Sequence, residues 1–89
     1  HALVFQAVDR EWYGKNIKSF EKANILFERH SVREPDWDGL VSGFKFVTDG
    51  LVQAGVLIDD KPSVIIDARY KWHKAKKDRQ GIRVYIEEI

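Results

Sequence analysis

The chain has 89 residues, 44% of them apolar and 33% charged, and its 15 Lys and Arg against 14 Asp and Glu leave a formal net charge of +1. That length accommodates one small domain with a thin core, and no run approaches the ~18 apolar residues that a membrane-spanning helix needs. The absence of cysteine excludes disulfides, thiolate metal sites and cysteine nucleophiles. The absence of methionine marks the chain as processed or as a piece of a longer one.

Over residues 1–20, Leu3, Phe5, Val8 and Trp12 suggest a partly buried arm or helix, ended by Gly14 and Asn16. Between Lys22 and Ser31 a short strand is predicted, with Ile25, Phe27 and Arg29 on one face and Leu26 and Glu28 on the other. Pro35 stops it. From about Asp38 to Ala54, Leu40, Phe44, Val47, Leu51 and Ala54 recur at helical spacing and draw one apolar stripe. Asp38 reads as the N-cap and Gly55 as a left-handed stop. Gly43 and Gly50 lie inside this helix at up to ~1 kcal/mol each in propensity, which packing or a close backbone must offset.

A polar turn, Asp59-Asp60-Lys61-Pro62, leads into a long alternating strand. Val64, Ile66, Ala68, Tyr70 and Trp72 fall on its inner side, and Ile65, Asp67, Arg69, Lys71 and His73 on its outer side. Residues 74–81 read as a polar hairpin loop before a last strand with Ile82, Val84 and Ile86 inward. The order strand, helix, strand, strand predicts an α+β fold over a single domain, 1–89: a small, mostly antiparallel or mixed sheet covered by one main helix.

The small net charge hides a segregation. Glu34 to Asp60 holds six acidic residues and one basic one, whereas Arg69 to Arg83 holds seven basic and one acidic. Such a basic lobe suits a polyanion, although a solvated hairpin tip would look the same. Lys74, Lys76, Lys77 and Arg79 are candidates for sequence-independent phosphate contacts, with Arg69 and Lys71 beside them.

Asp36, Asp38 and Asp60 flank the two ends of the helix. If the chain doubles back, carboxylates brought together repel one another unless a hard cation resolves the conflict. Mg²⁺ suits oxygen ligands, uses one or two carboxylates plus phosphate oxygens, and activates water for attack on a phosphodiester. Surface aspartates that cap a helix give the same pattern without a metal. Lys45, two turns after Asp38, points the same way to within ~20° and, leaning toward the helix N-terminus, could hold a phosphate. It could equally be a solvated lysine. His30 and His73 read as polar surface, or as groups that assist proton transfer or touch phosphate. Trp37 is expected to pack under the site, with stacking on a base as the alternative.

The segment from Arg33 to Asp60, with Asp36-Trp37-Asp38, Asp49-Gly50-Leu51, Ala54-Gly55 and Asp59-Asp60, resembles the RusA family of phage-borne Holliday-junction resolvases. The resemblance runs from about Lys22 to the C-terminus. It implies a Mg²⁺-dependent endodeoxyribonuclease, with Mn²⁺ as a substitute, that acts as a homodimer on four-way DNA junctions in recombination and repair. Carried over by position, the metal-binding and catalytic aspartates are Asp36, Asp38 and Asp60, and the catalytic lysine is Lys45. The sequence departs from the family pattern in four places. Gly39 stands where the family has Asn, and Lys45 falls one helical turn late. The preceding arginine run shrinks to Arg29, His30 and Arg33, and the family's N-terminal strand and loop are not read here. The partner expected is branched double-stranded DNA, with no membrane and no nucleotide cofactor, in a bacterial or phage-infected cytoplasm. The alternatives are a DNA-binding module that kept the fold without cutting, and a dimerisation module that uses exposed strand edges.

Overall fold

A computed structural model describes the backbone of residues 2–8 and 11–13 and the complete residues 19–89. The fold is α+β: a mixed sheet with one α-helix packed against it. Five strands, β1 (Ala2–Val8), β2 (Glu11–Tyr13), β3 (Ala23–Ser31), β4 (Ile65–Lys74) and β5 (Gly81–Glu88), lie in the order β2-β1-β5-β3-β4. Helix α1 (Trp37–Gln53) joins β3 to β4, which run parallel; the other pairings are antiparallel.

The arm or helix expected over residues 1–20 is corrected, and the N-terminal strand that the sequence reading missed is present. Leu3 pairs with Ile86 and Phe5 with Val84. The run from Ala2 to Val8 is rich in β-branched and aromatic residues, and once β5 offers an edge to pair with it reads as a strand. Gly14 and Asn16 lie outside the described residues. The connection after β4 is corrected too. β4 and β5 flank β3 instead of pairing with each other, so residues 75–80 arch over the end of β3 and form no hairpin. The Ala75 N–H donates to the Ser31 carbonyl at 3.0 Å, and the Val32 N–H to Gln80 Oε1 at 3.2 Å.

One sheet face carries the core. Ala23, Ile25 and Phe27 of β3 and Val84 and Ile86 of β5 are buried against Leu40, Phe44, Val47 and Leu51 of α1. Phe27 lies against Phe44 with ring centroids 4.9 Å apart and stacks on Tyr70 at 5.1 Å. Ala54, assigned to this stripe from its spacing, is exposed at the helix C-cap. There the Val56 N–H bonds the Leu51 carbonyl at 2.9 Å and the Gly55 N–H bonds that of Val52 at 3.0 Å, while Gly55 takes φ +78°. This 6→1 and 5→2 pair closes the helix as a Schellman motif, the left-handed stop expected of Gly55.

Candidate functional site

The helix start is built by Asp36, not by Asp38 as its position suggested. Asp36 is extended (ψ 169°) and accepts the Gly39 N–H at 2.6 Å. In this extended conformation Asp36 stands outside the helix with its carboxylate free to take an orphan amide, which is the N-cap role. Asp38 sits in the first turn, where its charge complements the helix dipole. Trp37, expected to pack, is 67% exposed.

At the other end of the helix, the buried pair Val56 and Leu57 anchors the loop that presents Asp59 and Asp60. The Phe20 N–H donates to the Val56 carbonyl at 2.7 Å and fixes that loop against the chain entering β3. Asp60 Oδ2 then lies 3.2 Å from Lys45 Nζ, which also donates to Asp49 Oδ1 at 2.9 Å. The hydrogen bond to Asp49, then that to Asp60, raises the Lys45 pKa above its ordinary 10.5. A raised cationic pKa means this contact supports the fold below pH 10.5 and is lost as the pH climbs through the folded-state value. The Asp60 N–H donates to Asp59 Oδ1 at 2.8 Å, and this bond holds the Asp59 carboxyl below its usual range.

Of the four residues singled out for catalysis, Lys45 and Asp60 therefore meet. Lys45 leans toward Asp49, on the C-terminal side, and not toward Asp38 as expected. Asp38 is two turns, about 10 Å of helix rise, before Lys45. Among the described residues, no three carboxylates bring their oxygens within 4.8 Å of one another. A single Mg²⁺ held jointly by Asp36, Asp38 and Asp60 does not fit this arrangement, because Asp36 is engaged at the cap and Asp60 on an ammonium. Asp49 is an acidic partner of Lys45 that the sequence did not mark as a site residue. Its i,i+4 spacing from Lys45 was the available signal. Beside the Lys45–Asp60 contact, Val41, Ser42, Thr48, Pro62 and Tyr70 line a groove of about 520 Å³ between α1 and β4.

The cationic candidates divide between two places. Lys74, Lys76 and Arg79 join Arg83 and His30 around a groove of about 530 Å³ where the 75–80 arch meets the sheet, with Asp78 and Gln80 completing its lining. Arg83 and His30 enter it from β5 and β3, a contribution that only the strand order reveals. Lys77 is exposed on the same arch, in a 3₁₀ turn from Lys77 to Arg79. Arg69 lies outside this groove, further along the sheet face away from α1, beside Asn24, Leu26, Tyr85 and Glu87, and donates to Asp67 at 3.1 Å. Lys71 shares that face, opposite Glu28. No helix among the described residues is long and apolar enough to cross a membrane. No protein-family model, curated protein or solved structure matches this chain.

Proposed function

We propose that this chain is a structure-selective DNA endonuclease of the Holliday-junction-resolving kind, acting as a homodimer on branched double-stranded DNA in the presence of Mg²⁺ or Mn²⁺. The observation that carries the DNA half of this reading is the groove ringed by Lys74, Lys76, Arg79 and Arg83. Four cations from two elements and the arch between them converge on one concave surface, and Asp78 alone opposes them there. A solvated hairpin tip would point its lysines apart, whereas a phosphate backbone rewards this convergence through counterion release. The cutting half rests on the Arg33–Asp60 resemblance; Lys45 and Asp60, two of the four residues it assigns to catalysis, meet at 3.2 Å, and Lys45 must release Asp60 before that carboxylate can hold a metal.

Binding without cutting is the second reading. It is favoured by Asp36, whose carboxylate is engaged at the helix cap, and by the lack, among the described residues, of three carboxylates within 4.8 Å of one another. An end-labelled four-way junction and a linear duplex of the same sequence separate the two. Binding in EDTA is measured by mobility shift and cutting by strand analysis after adding Mg²⁺ or Mn²⁺. The proposal expects junction-preferring binding and symmetric cutting, with Asp60→Asn retaining the first and losing the second. Binding by the wild type with no product supports the second reading. No binding even at low salt removes both and leaves an interaction module.

A further inference from the structure

The sheet face opposite α1 holds a cluster that shares only His30 with the basic groove. Glu28 and His30 are two residues apart on β3, so their side chains leave the same face. His73 of β4 is the register partner of His30. His30 Nε2 lies 3.2 Å from Glu28 Oε1, and His73 Nε2 lies 3.3 Å from Glu28 Oε2. The two imidazoles stack with centroids 4.9 Å apart and planes 15° apart. One donor atom from each of the three residues falls within 4.8 Å of the other two, the only such group among the described residues.

We infer that Glu28, His30 and His73 form a binding site for a divalent transition metal, Zn²⁺ first. Around a tetrahedral Zn²⁺ with ligands at ~2.0–2.2 Å, neighbouring donor atoms stand ~3.3–3.6 Å apart. The two N···O separations are close to that edge length but run to different oxygens of Glu28, so the carboxylate turns to offer one oxygen to both imidazoles or binds the ion through both. The ligand set is two imidazoles and one carboxylate, the composition of zinc sites with three protein ligands and a fourth position left to water. Imidazole nitrogen is a borderline donor that suits Zn²⁺, whereas Mg²⁺ prefers oxygen. The scaffold is also suited to the role. Glu28 and His30 are only 14% and 20% exposed, so the strand pair fixes two ligands, while His73 at 46% has room to turn in. Lys71 and Arg83, opposite Glu28 on the two neighbouring strands, weaken the site without occupying it. The site shares no residue with the Lys45–Asp60 cluster and only His30 with the basic groove, and its test reads metal binding rather than DNA binding or cutting.

The test titrates Zn²⁺ and, separately, Mg²⁺ into the metal-free full chain carrying His1→Ala, which leaves His30 and His73 as the only histidines. Calorimetry gives stoichiometry and affinity, and ¹⁵N resonances of the imidazoles report ligation directly. The expected result is one Zn²⁺ per chain, movement of the Nε2 resonances of both histidines, and no such response to Mg²⁺. His73→Ala, at an exposed position, and Glu28→Gln should each weaken Zn²⁺ by at least the ~10–100-fold that loss of even an outer-shell partner costs, with unchanged melting in EDTA. No saturable binding, or binding whose affinity survives both substitutions, overturns the site and leaves a hydrogen-bonded trio only.

Discussion

Asp36 and Asp38 differ by two positions and by what their carboxylates do. Removing the Asp36 cap leaves an orphan amide at the helix start, so Asp36→Ala should cost about 1 kcal/mol, within a range of roughly 0.5–2. Asp38→Ala loses only a favourable dipole contact, about 0.3–1 kcal/mol. Gly39 is bound up with that cap, because a Cβ there would stand 2.7 Å from Asp36 Oδ1. Gly39→Ala therefore sets a propensity gain of up to ~1 kcal/mol against displacement of a cap of similar worth, and stability should barely change. Gly43 was expected to need compensating packing or a close backbone. Nothing lies within 4 Å of a Cβ built on it, so Gly43→Ala should keep the full gain, about 0.5–1 kcal/mol. Urea unfolding of the four variants measures this order. A Gly39→Ala protein as stable as Gly43→Ala would show that the cap tolerates the methyl and that Asp36 is free to move to other ligands.

Among the elements, β4 shows where period and register part company. Strict alternation placed Val64, Ile66, Ala68, Tyr70 and Trp72 inward. In the fold, Ala23 of β3 pairs with Ile65 and the next residue, Asn24, pairs with Asp67, so Ile66 is an extra residue in a bulge and stands 51% exposed. Ile65 takes the inward place and packs against the core. A bulge inserts one unpaired residue and reverses facing on one side of it, which a period-two pattern cannot announce when both neighbours are isoleucine. Ile66→Ala should accordingly shift stability by no more than about 0.5 kcal/mol. Ile86→Ala, at a fully buried position, should cost about 2–5 kcal/mol. Equal losses in denaturant titrations would mean that Ile66 is inward after all. The helix was legible because four of its five stripe residues are buried and its stop is a glycine. The β4–β5 relation was not, because a polar loop between two strands looks like a hairpin whether it pairs them or carries the chain over a third strand.

Across the whole molecule, the segregation of charge was plain in the sequence but its shape was not. Lys74, Lys76 and Arg79 were named from one basic run. The strand order then adds Arg83 and His30 to their groove and leaves Arg69 and Lys71 outside it, further along the same open sheet face, with Arg69 already paired to Asp67. The proposed carboxylate site was only half legible. Helical spacing cannot say which way Lys45 leans, and two acids near it, Asp49 and Asp60, outcompete one acid about 10 Å of helix rise away. The division of cations makes the DNA reading quantitative. Each cation that neutralises a phosphate contributes about 0.9 to the slope of log K against log salt. Lys76→Ala and Arg79→Ala should each flatten the slope for duplex DNA by roughly 1, and the double variant by roughly twice that if the two contacts act independently. Arg69→Ala, whose charge is shared with Asp67 outside that groove, should leave the slope nearly unchanged. Fluorescence anisotropy over a salt series measures all four proteins on one scale. A slope lowered by Arg69→Ala and untouched by the groove substitutions would move the nucleic acid off the groove and along the open sheet face toward Arg69.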